Sequence, residues 1–286
     1  MSKNGYVLAT IGGIVLSFDT VFIKAIDFSP ERMAFWRSVS MSLPAILILI
    51  YQLLFSSKSY QKINLTNKYF ILSSIFYGLS SILFPVSVML TSISNMLFII
   101  STAPLWAAVI SRIFTKESIN LSTLMCFIIS MLGVITVMLG SSTGLTLSIG
   151  DLTAFATAIC MASAFVVGRK SNINVSLSPS FGSIVAAIFL YFYFNLDFHV
   201  AGDKLILILL EGAVVMFIAL SLLAKASSII PSVHLGFFLL LETVFGPIWI
   251  WMTFGEIPPI YTVIGGFIIL VGLLTNSFLA MRMQRA

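Results

Sequence analysis

Charged residues are scarce in this sequence. Lys, Arg, Asp and Glu together make up 9% of its 286 residues, whereas a typical soluble domain contains about 25%. Residues for redox, metal or nucleophilic chemistry are scarcer still, with two cysteines and two histidines. Cys126 and Cys160 fall in apolar segments, where they behave as small apolar residues. We therefore predict neither a soluble domain nor a disulfide scaffold, and no metal site and no cofactor.

Apolar residues fill the chain instead. They make up 59% of it, and the mean hydropathy is +1.10. Runs of about twenty apolar residues, the length that crosses the hydrocarbon core of a bilayer as a helix, recur from one end to the other. The connections are too short to hold a soluble catalytic domain. We predict an all-α membrane protein with ten transmembrane helices at 5–26, 31–55, 68–90, 92–112, 119–140, 150–169, 177–196, 205–226, 229–254 and 259–281.

The placement of the basic residues predicts the orientation of the chain. The formal net charge of +5 would suit an anionic partner, but in a membrane protein the position of each charge matters more than the sum. We therefore predict the lipid bilayer and no nucleic acid as a partner. With cytoplasmic termini in a bacterial inner membrane, one side collects eleven of the fifteen basic residues: Lys3, Lys58, Lys62, Lys68, Arg112, Lys116, Arg169, Lys170, Lys225, Arg282 and Arg285.

The chain contains an internal repeat, which divides it into residues 1–140 and 147–286. Each half holds five predicted helices, an odd number, so the second half must be inverted relative to the first. Inverted repeats of this kind can open a central site to each side of the membrane in turn, which favours a transporter. The aligned pairs are Gly5 with Gly150, Glu117 with Glu256, and Gly133 with Gly272.

Three sets of motifs stand at defined places in the chain. They are Ala103-Pro104 with Lys116-Glu117, Leu241-Glu242 with Gly255-Glu256, and Gly150-Asp151 at the start of the second half. In order and spacing they resemble the motifs of the drug/metabolite transporter superfamily in its EamA-type branch. The resemblance covers essentially the whole chain. It implies a secondary transporter, and in this branch often an exporter of amino acids and related metabolites.

Glu242 lies near the middle of the predicted span 229–254. An ionisable group costs roughly 2.5–3.5 kcal/mol at the centre of a membrane helix, so its presence needs a physical reason. One interpretation is a site at the centre of the membrane that binds a substrate amine or takes up and releases a proton. The other interpretation is a structural hydrogen bond between helices.

Asp19, Lys24 and Arg37 lie in the outer halves of the first two spans. Five residues apart on a helix, Asp19 and Lys24 point in different directions and cannot pair well with each other. Arg37 is the candidate partner of Asp19, and Glu211 is a candidate partner of Lys24 or Arg37. These residues form a polar outer gate or an anchor for a substrate carboxylate, or else a fixed ion pair with Lys24 reaching the outer head groups.

Asn95 and His234 occupy equivalent places in the two halves, one turn into the fourth and ninth spans. They either line opposite parts of one pathway or form hydrogen bonds between helices. Among the aromatic residues, Tyr77, Trp106 and Trp249 are further candidates for substrate binding. Trp249 follows Glu242 by two helical turns, so we predict that both face the same cavity.

Glycines in the last helix predict close helix packing. Gly265 and Gly272 fall on one face, which suits contact with the fifth helix or with a second subunit in a homodimer through helices 5 and 10. Prolines inside the spans free backbone carbonyls and bend helices, which suits gating. They are Pro44, Pro85, Pro104 and Pro247.

We therefore predict a secondary transporter of a small molecule that works by alternating access around a cavity between the repeats. No phosphate-binding G-x-x-x-x-G-K-[ST] loop occurs in the sequence, so a gradient must supply the energy. The alternative is an intramembrane enzyme acting on lipid or peptide. It lacks sequence support because no H-E-x-x-H or G-x-S-x-G motif occurs, and the histidines are isolated at His199 and His234.

Overall fold

A computed structural model describes residues 2–55, 66–91, 93–116, 120–139, 148–171, 173–194, 200 and 202–283. All regular secondary structure in these residues is helical. Several residues named above lie outside this part of the chain: Lys58, Lys62, Glu117, His199 and Arg285. The side chains of Asn95 and Arg282 also lie outside it, although their backbones belong to helices.

The helices follow the predicted spans closely. The first half contains α1 (Ser2–Leu16), α2 (Asp19–Ile26), α3 (Pro30–Phe55), α4 (Lys68–Leu90), α5 (Ile93–Ile100), α6 (Ala103–Phe114) and α7 (Leu121–Leu139). The second half contains α8 (Ile149–Ser171), α9 (Ser178–Tyr193), α10 (Gly202–Leu209), a π-helical segment (Leu210–Met216), α11 (Phe217–Ser227), α12 (Ser232–Phe254) and α13 (Ile260–Met283).

Within the described ranges, seven helical stretches are long and apolar enough to cross a membrane, and three shorter apolar helices complete a set of ten. Helices suit this setting because each satisfies its own backbone hydrogen bonds without water. The chain is therefore an integral membrane protein, as predicted. Large apolar side chains cover its outer surface, as Phe192 and Phe267 show with exposed fractions of 81% and 69%.

Three spans depart from a regular α-helix. The first is interrupted between α1 and α2, where the Phe18 N–H donates to the Val15 carbonyl in a tighter turn. The fourth is interrupted between α5 and α6, just before Pro104, which has no N–H to donate. The eighth contains the π-helical segment, a geometry found often at functional sites. Pro44, Pro85 and Pro247 lie inside continuous helices.

Contacts between the halves follow a pseudo-twofold relation. Helix α4 packs on α8 and α9, and in the inverted arrangement α11 packs on α1 while the π-helical segment packs on α3. The pairs α3 with α9, α6 with α12, and α7 with α13 join equivalent helices of the two halves. The fold is thus the predicted bundle of two inverted five-helix repeats.

Glycine contacts show the same relation at atomic scale. A Cβ atom on Gly133 would lie 2.7 Å from the Gly265 carbonyl oxygen, and one on Gly272 would lie 3.0 Å from the Cys126 carbonyl oxygen. The spacing that pairs Gly133 with Gly272 also pairs Cys126 with Gly265. The two contacts therefore exchange when the repeats exchange. They place the glycine face of α13 against α7, while a homodimer through these helices stays a prediction.

Candidate functional site

A buried ion cluster joins the two repeats. The Arg37 Nη1 atom in α3 lies 2.7 Å from Asp19 Oδ1 at the start of α2 and 3.0 Å from Glu211 Oε1 in the π-helical segment. The side chains are almost fully buried, with exposed fractions of 3% for Arg37 and 0% for each carboxylate. Since charges are costly to bury unless they are paired, each member depends on the others.

Arg37 has further contacts that hold its guanidinium in place. Its Nη2 group donates to Met216 Sδ at 3.4 Å. Its Cζ atom lies 5.0 Å from the centre of the Phe84 ring, within the range of a cation–π interaction. Its Nε–H finds no hydrogen-bond partner among the described residues. One donor of the fork is therefore free to bind another group.

Glu242 lies near this cluster on α12 and is also buried, with an exposed fraction of 2%. Its Oε1 atom has no hydrogen-bond partner in the part of the chain that the structure describes. Asp19 Oδ2 shares this property within the same described residues. A buried polar atom without a partner is unfavourable, and it often marks a place where a ligand, a proton or water binds. Two carboxyl groups thus contact the Arg37 guanidinium, and Glu242 adds a third to the same region.

Both repeats line a narrow cavity at the cluster. Asp19 and Arg37 come from the first repeat and Glu242 from the second, and apolar side chains such as Met161 and Leu239 form most of the remaining wall. The cavity therefore offers opposite charges in an apolar setting, as small-molecule sites in proteins usually do. Its uncharged polar side chains are Ser80, Ser81 and Thr157.

A sequence model of the EamA-like transporter family matches this chain twice, over residues 3–139 and 148–278. The chain belongs to the EamA-like transporter family. It is accordingly a membrane transporter of the drug/metabolite transporter superfamily, which confirms the resemblance seen in the sequence. The alternative of an intramembrane enzyme receives no support from this membership.

The fold also matches a solved structure. A protein whose structure is titled "Crystal structure of protein" superposes with a TM-score of 0.75, and the match covers 99% of each chain. At 11% identity this likeness concerns the fold alone. A comparison with curated protein sequences found no match.

Lys24 lies apart from the cluster of this EamA-like protein. Its ammonium is 2.5 Å from Glu256 Oε2 and 5.0 Å from the centre of the Phe254 ring. The side chains of Lys24 and Glu256 are 34% and 59% exposed. The structure thus joins Lys24 to the end of α12 and leaves Glu211 to Arg37.

His234 forms a hydrogen bond between helices. Its Nδ1 atom lies 3.1 Å from the Asn276 amide nitrogen on α13, and its ring contacts Tyr6 edge to face with centroids 6.1 Å apart. These contacts fit the structural interpretation of His234. The sequence-equivalent residue, Asn95, lies in α5, and its side chain is outside the described part of the structure.

Trp249 contacts the break in the first span. Its indole N–H donates to Ser17 Oγ at 2.8 Å, and its ring stacks on Phe18 with centroids 4.4 Å apart. It is not among the residues that line the cavity with Glu242. Because the break directly precedes Asp19, Trp249 supports the segment that positions this carboxylate.

Tyr77 and Trp106 are also outside the cavity lining. Tyr77 is buried in α4, with an exposed fraction of 1%, and its hydroxyl has no hydrogen-bond partner among the described residues. Trp106 donates from its indole nitrogen to Thr102 Oγ1 at 3.1 Å and packs edge to face on Phe155. A role for either in substrate binding stays a prediction.

The sequence did not lead us to predict that Glu211 belongs to the buried ion cluster. We named Glu211 as a partner for another charge, but the structure places it in the cluster itself. The signal was available, because Glu211 interrupts an apolar run as Glu242 does. Met161, Met216 and Leu239 gave no such signal, since an apolar residue in a membrane helix is expected everywhere.

Proposed function

We propose that this protein is a secondary transporter that exports small polar or amphipathic metabolites, such as amino acids. It would work by alternating access around the cavity that both repeats line. The observation that carries this proposal is the presence of Glu242 and of the Arg37–Asp19 pair in the wall of one cavity. Inverted repeats suit such a mechanism because they can exchange conformations around a central site.

The charges in the cavity suit a zwitterion. The Arg37 Nε–H has no hydrogen-bond partner among the described residues and can donate to a substrate carboxylate. Glu242 Oε1 lacks a partner in the same sense and can accept from a substrate ammonium. An amino acid carries both groups a few bonds apart. The apolar wall provided by Met161, Met216 and Leu239 would contact its side chain.

Glu242 also suits proton coupling. A carboxyl group in an apolar cavity can be occupied either by a proton or by a substrate cation, but not by both. Exchange between the two would couple metabolite export to proton entry. The sequence lacks a phosphate-binding loop, so a gradient is the energy source that fits this chain.

The proposed direction depends on orientation. The basic residues predict cytoplasmic termini in a bacterial inner membrane. In that orientation the Lys24–Glu256 pair lies at the outer end of the bundle, where it connects the first span to the end of α12. Because Lys24 and Glu256 are 34% and 59% exposed, the pair can open at little cost when the cavity faces outward, and its loss should change transport little.

Efflux from proteoliposomes tests the proposal. Purified protein would be reconstituted with a panel of labelled amino acids inside, and efflux measured with and without an imposed pH gradient. We expect saturable efflux of at least one amino acid, accelerated by the gradient and abolished by Glu242→Gln. Glu256→Gln is the matched control, because Glu256 is 59% exposed and lies outside the cavity lining. It should transport normally.

Two results would count against the proposal. If Glu242→Gln transports at the wild-type rate across the pH range, Glu242 is structural and the proposed coupling is wrong. If the wild-type protein transports no amino acid faster than empty liposomes leak it, amino acids are the wrong substrate class. Equal loss in Glu242→Gln and Glu256→Gln would point to general damage rather than to the cavity.

A further inference from the structure

A second cavity lies between α4, α6 and α8, away from the ion cluster. Lys68 and Tyr69 at the start of α4 and Lys170 near the end of α8 line it. Most of the other lining residues are apolar, among them Leu72 and Phe76, and Ser163 adds one hydroxyl group. This end of the bundle is predicted to be cytoplasmic because it collects most of the basic residues.

Lys68 and Lys170 each have a positive charge that no carboxylate of the described residues pairs with. Lys170 donates to the Phe114 carbonyl at 3.0 Å, and the Lys68 ammonium lies 5.2 Å from the centre of the Tyr69 ring. Neither forms an ion pair with a carboxylate in the described ranges. Both side chains are exposed. The cavity mouth therefore attracts an anion.

The cavity wall belongs to the lipid-facing surface. Leu72 and Phe114 line the cavity and are 41% and 59% exposed, and the neighbouring Ile71 and Ile113 are 47% and 67% exposed. On a membrane protein, exposed apolar side chains of this kind contact acyl chains. A ligand that reaches the lysines from this side must itself be partly apolar.

We propose that this cavity binds an anionic phospholipid. The phosphate accepts hydrogen bonds from the ammonium groups of Lys68 and Lys170, and an acyl chain follows Leu72 and Phe76 between the helices. The inner leaflet supplies such lipids, and basic pockets between membrane helices on that side suit their head groups. This proposal concerns a site separate from the ion cluster and is independent of the substrate.

The opposite end of the bundle offers a natural comparison. The inverted repeat places the start of α10 and the end of α2 there, in the positions that α4 and α8 have at the cavity. Lys204 at that end donates to the Ile26 carbonyl at 2.8 Å and lies 5.2 Å from the centre of the Phe28 ring, while Glu256 neutralises Lys24. Lys204 thus makes the same kinds of contact as Lys170 and Lys68, but the Glu256 carboxylate lowers the net positive charge at this end, so we expect no phospholipid there.

Native mass spectrometry of the full-length protein tests the proposal. Detergent-purified protein would receive equal amounts of phosphatidylglycerol and phosphatidylcholine with the same acyl chains. We expect the wild type to retain phosphatidylglycerol preferentially. Lys68→Gln and Lys170→Gln should each weaken retention about fivefold. Lys204→Gln, the matched control, should retain the lipid as the wild type does, and Lys170→Arg should preserve retention because it keeps the charge.

Three outcomes would overturn the proposal. Equal retention of both lipids would show that the lysines do not select an anion. Equal loss in Lys204→Gln and Lys68→Gln would indicate general electrostatic attraction. Displacement of the lipid by glycerol phosphate, which has the phosphate but no acyl chain, would indicate a site for soluble anions. If the glutamine variants fail to fold, the lipid preference of the wild type and of Lys170→Arg decides. Flux is not measured, so the result is independent of the amino-acid efflux experiment.

Discussion

Two groups of ion-paired residues in this protein, a buried cluster and an exposed pair, link the first repeat to the second, and they differ in burial. The Arg37 pairs with Asp19 and Glu211 are 0–3% exposed, whereas Lys24 and Glu256 are 34% and 59% exposed. In both places a basic side chain is paired with carboxylate oxygens. Burial changes the free energy of losing one partner, because only a buried charge depends on its partner for solvation.

The stability of the fold depends on these two groups to different degrees. The buried cluster fixes α2, α3 and the π-helical segment relative to one another, while the exposed pair can open and close at little cost. Glu242 belongs to neither class, since it is buried and its Oε1 atom has no hydrogen-bond partner among the described residues. A group in that position adds little to stability, which is consistent with the role in transport that we propose for it.

The largest expected effect is that of Arg37→Gln. The substitution leaves Asp19 and Glu211 buried without a counter-ion, so the protein should lose about 3–5 kcal/mol of unfolding free energy. Thermal unfolding in detergent would measure the loss. Adding Asp19→Asn and Glu211→Gln to the same protein should restore part of it. Wild-type stability in the single variant would show that the cluster does not hold these segments together.

Glu242→Gln should abolish transport without lowering stability, in contrast to Arg37→Gln. It removes a buried charge that has no ion-pair partner within 4.0 Å in the described part of the chain. Unfolding free energy should therefore stay the same or rise by about 1 kcal/mol, while efflux and its dependence on the pH gradient are lost. Stability and transport would be measured on the same preparation. A loss of stability as large as that of Arg37→Gln would make Glu242 a structural residue.

Trp249→Phe should have a smaller effect. It removes the hydrogen bond to Ser17 Oγ but keeps the aromatic stacking on Phe18, so we expect a loss of about 1 kcal/mol. Ser17→Ala should cost a similar amount, and the double variant should cost little more than either single one. Fully additive losses would mean that the hydrogen bond does not couple α12 to the break.

The smallest expected effect is that of Lys24→Gln. An exposed ion pair contributes about 0.2–1 kcal/mol, and salt reduces the contribution. Stability measured at low and high salt should therefore differ between wild type and variant only at low salt. A salt-independent loss of stability comparable with that of Arg37→Gln would show that the Lys24–Glu256 pair behaves as a buried pair. The two groups of ion pairs would then not differ in the way their burial predicts.

Much of the fold was predictable from the sequence. Spans predicted at 31–55 and 68–90 became Pro30–Phe55 and Lys68–Leu90, because a membrane helix must consist of one long apolar segment. The inverted repeat was predictable as well, since an odd number of helices in each half requires it. The interruption at Ser17–Phe18 was not, because Trp249 from the other repeat contacts it and local sequence carries no record of that contact.

The candidate site was predictable where it contains charge. Asp19, Arg37 and Glu242 drew attention because each is costly inside a membrane, and the structure brings them to one cavity. The contacts of the Trp249 side chain were harder to predict. Helical periodicity placed it on the face of Glu242, but two turns along α12 that face meets the α1–α2 junction rather than the cavity. The neighbouring segment that this face contacts depends on how the helices pack. The helical periodicity of the sequence carries no information about that packing.

The contact between α7 and α13, which we call the seam, has a consequence for the evolutionary origin of the chain. Its glycine contacts, Gly133 with Gly265 and Gly272 with Cys126, map onto each other when the repeats exchange. A contact with that property has the geometry of an isologous dimer interface, in which one patch meets a second copy of itself. Two separate five-helix chains can meet through such a seam without a linker. A gene duplication that fused them would have needed no new interface, only the short connection between α7 and α8.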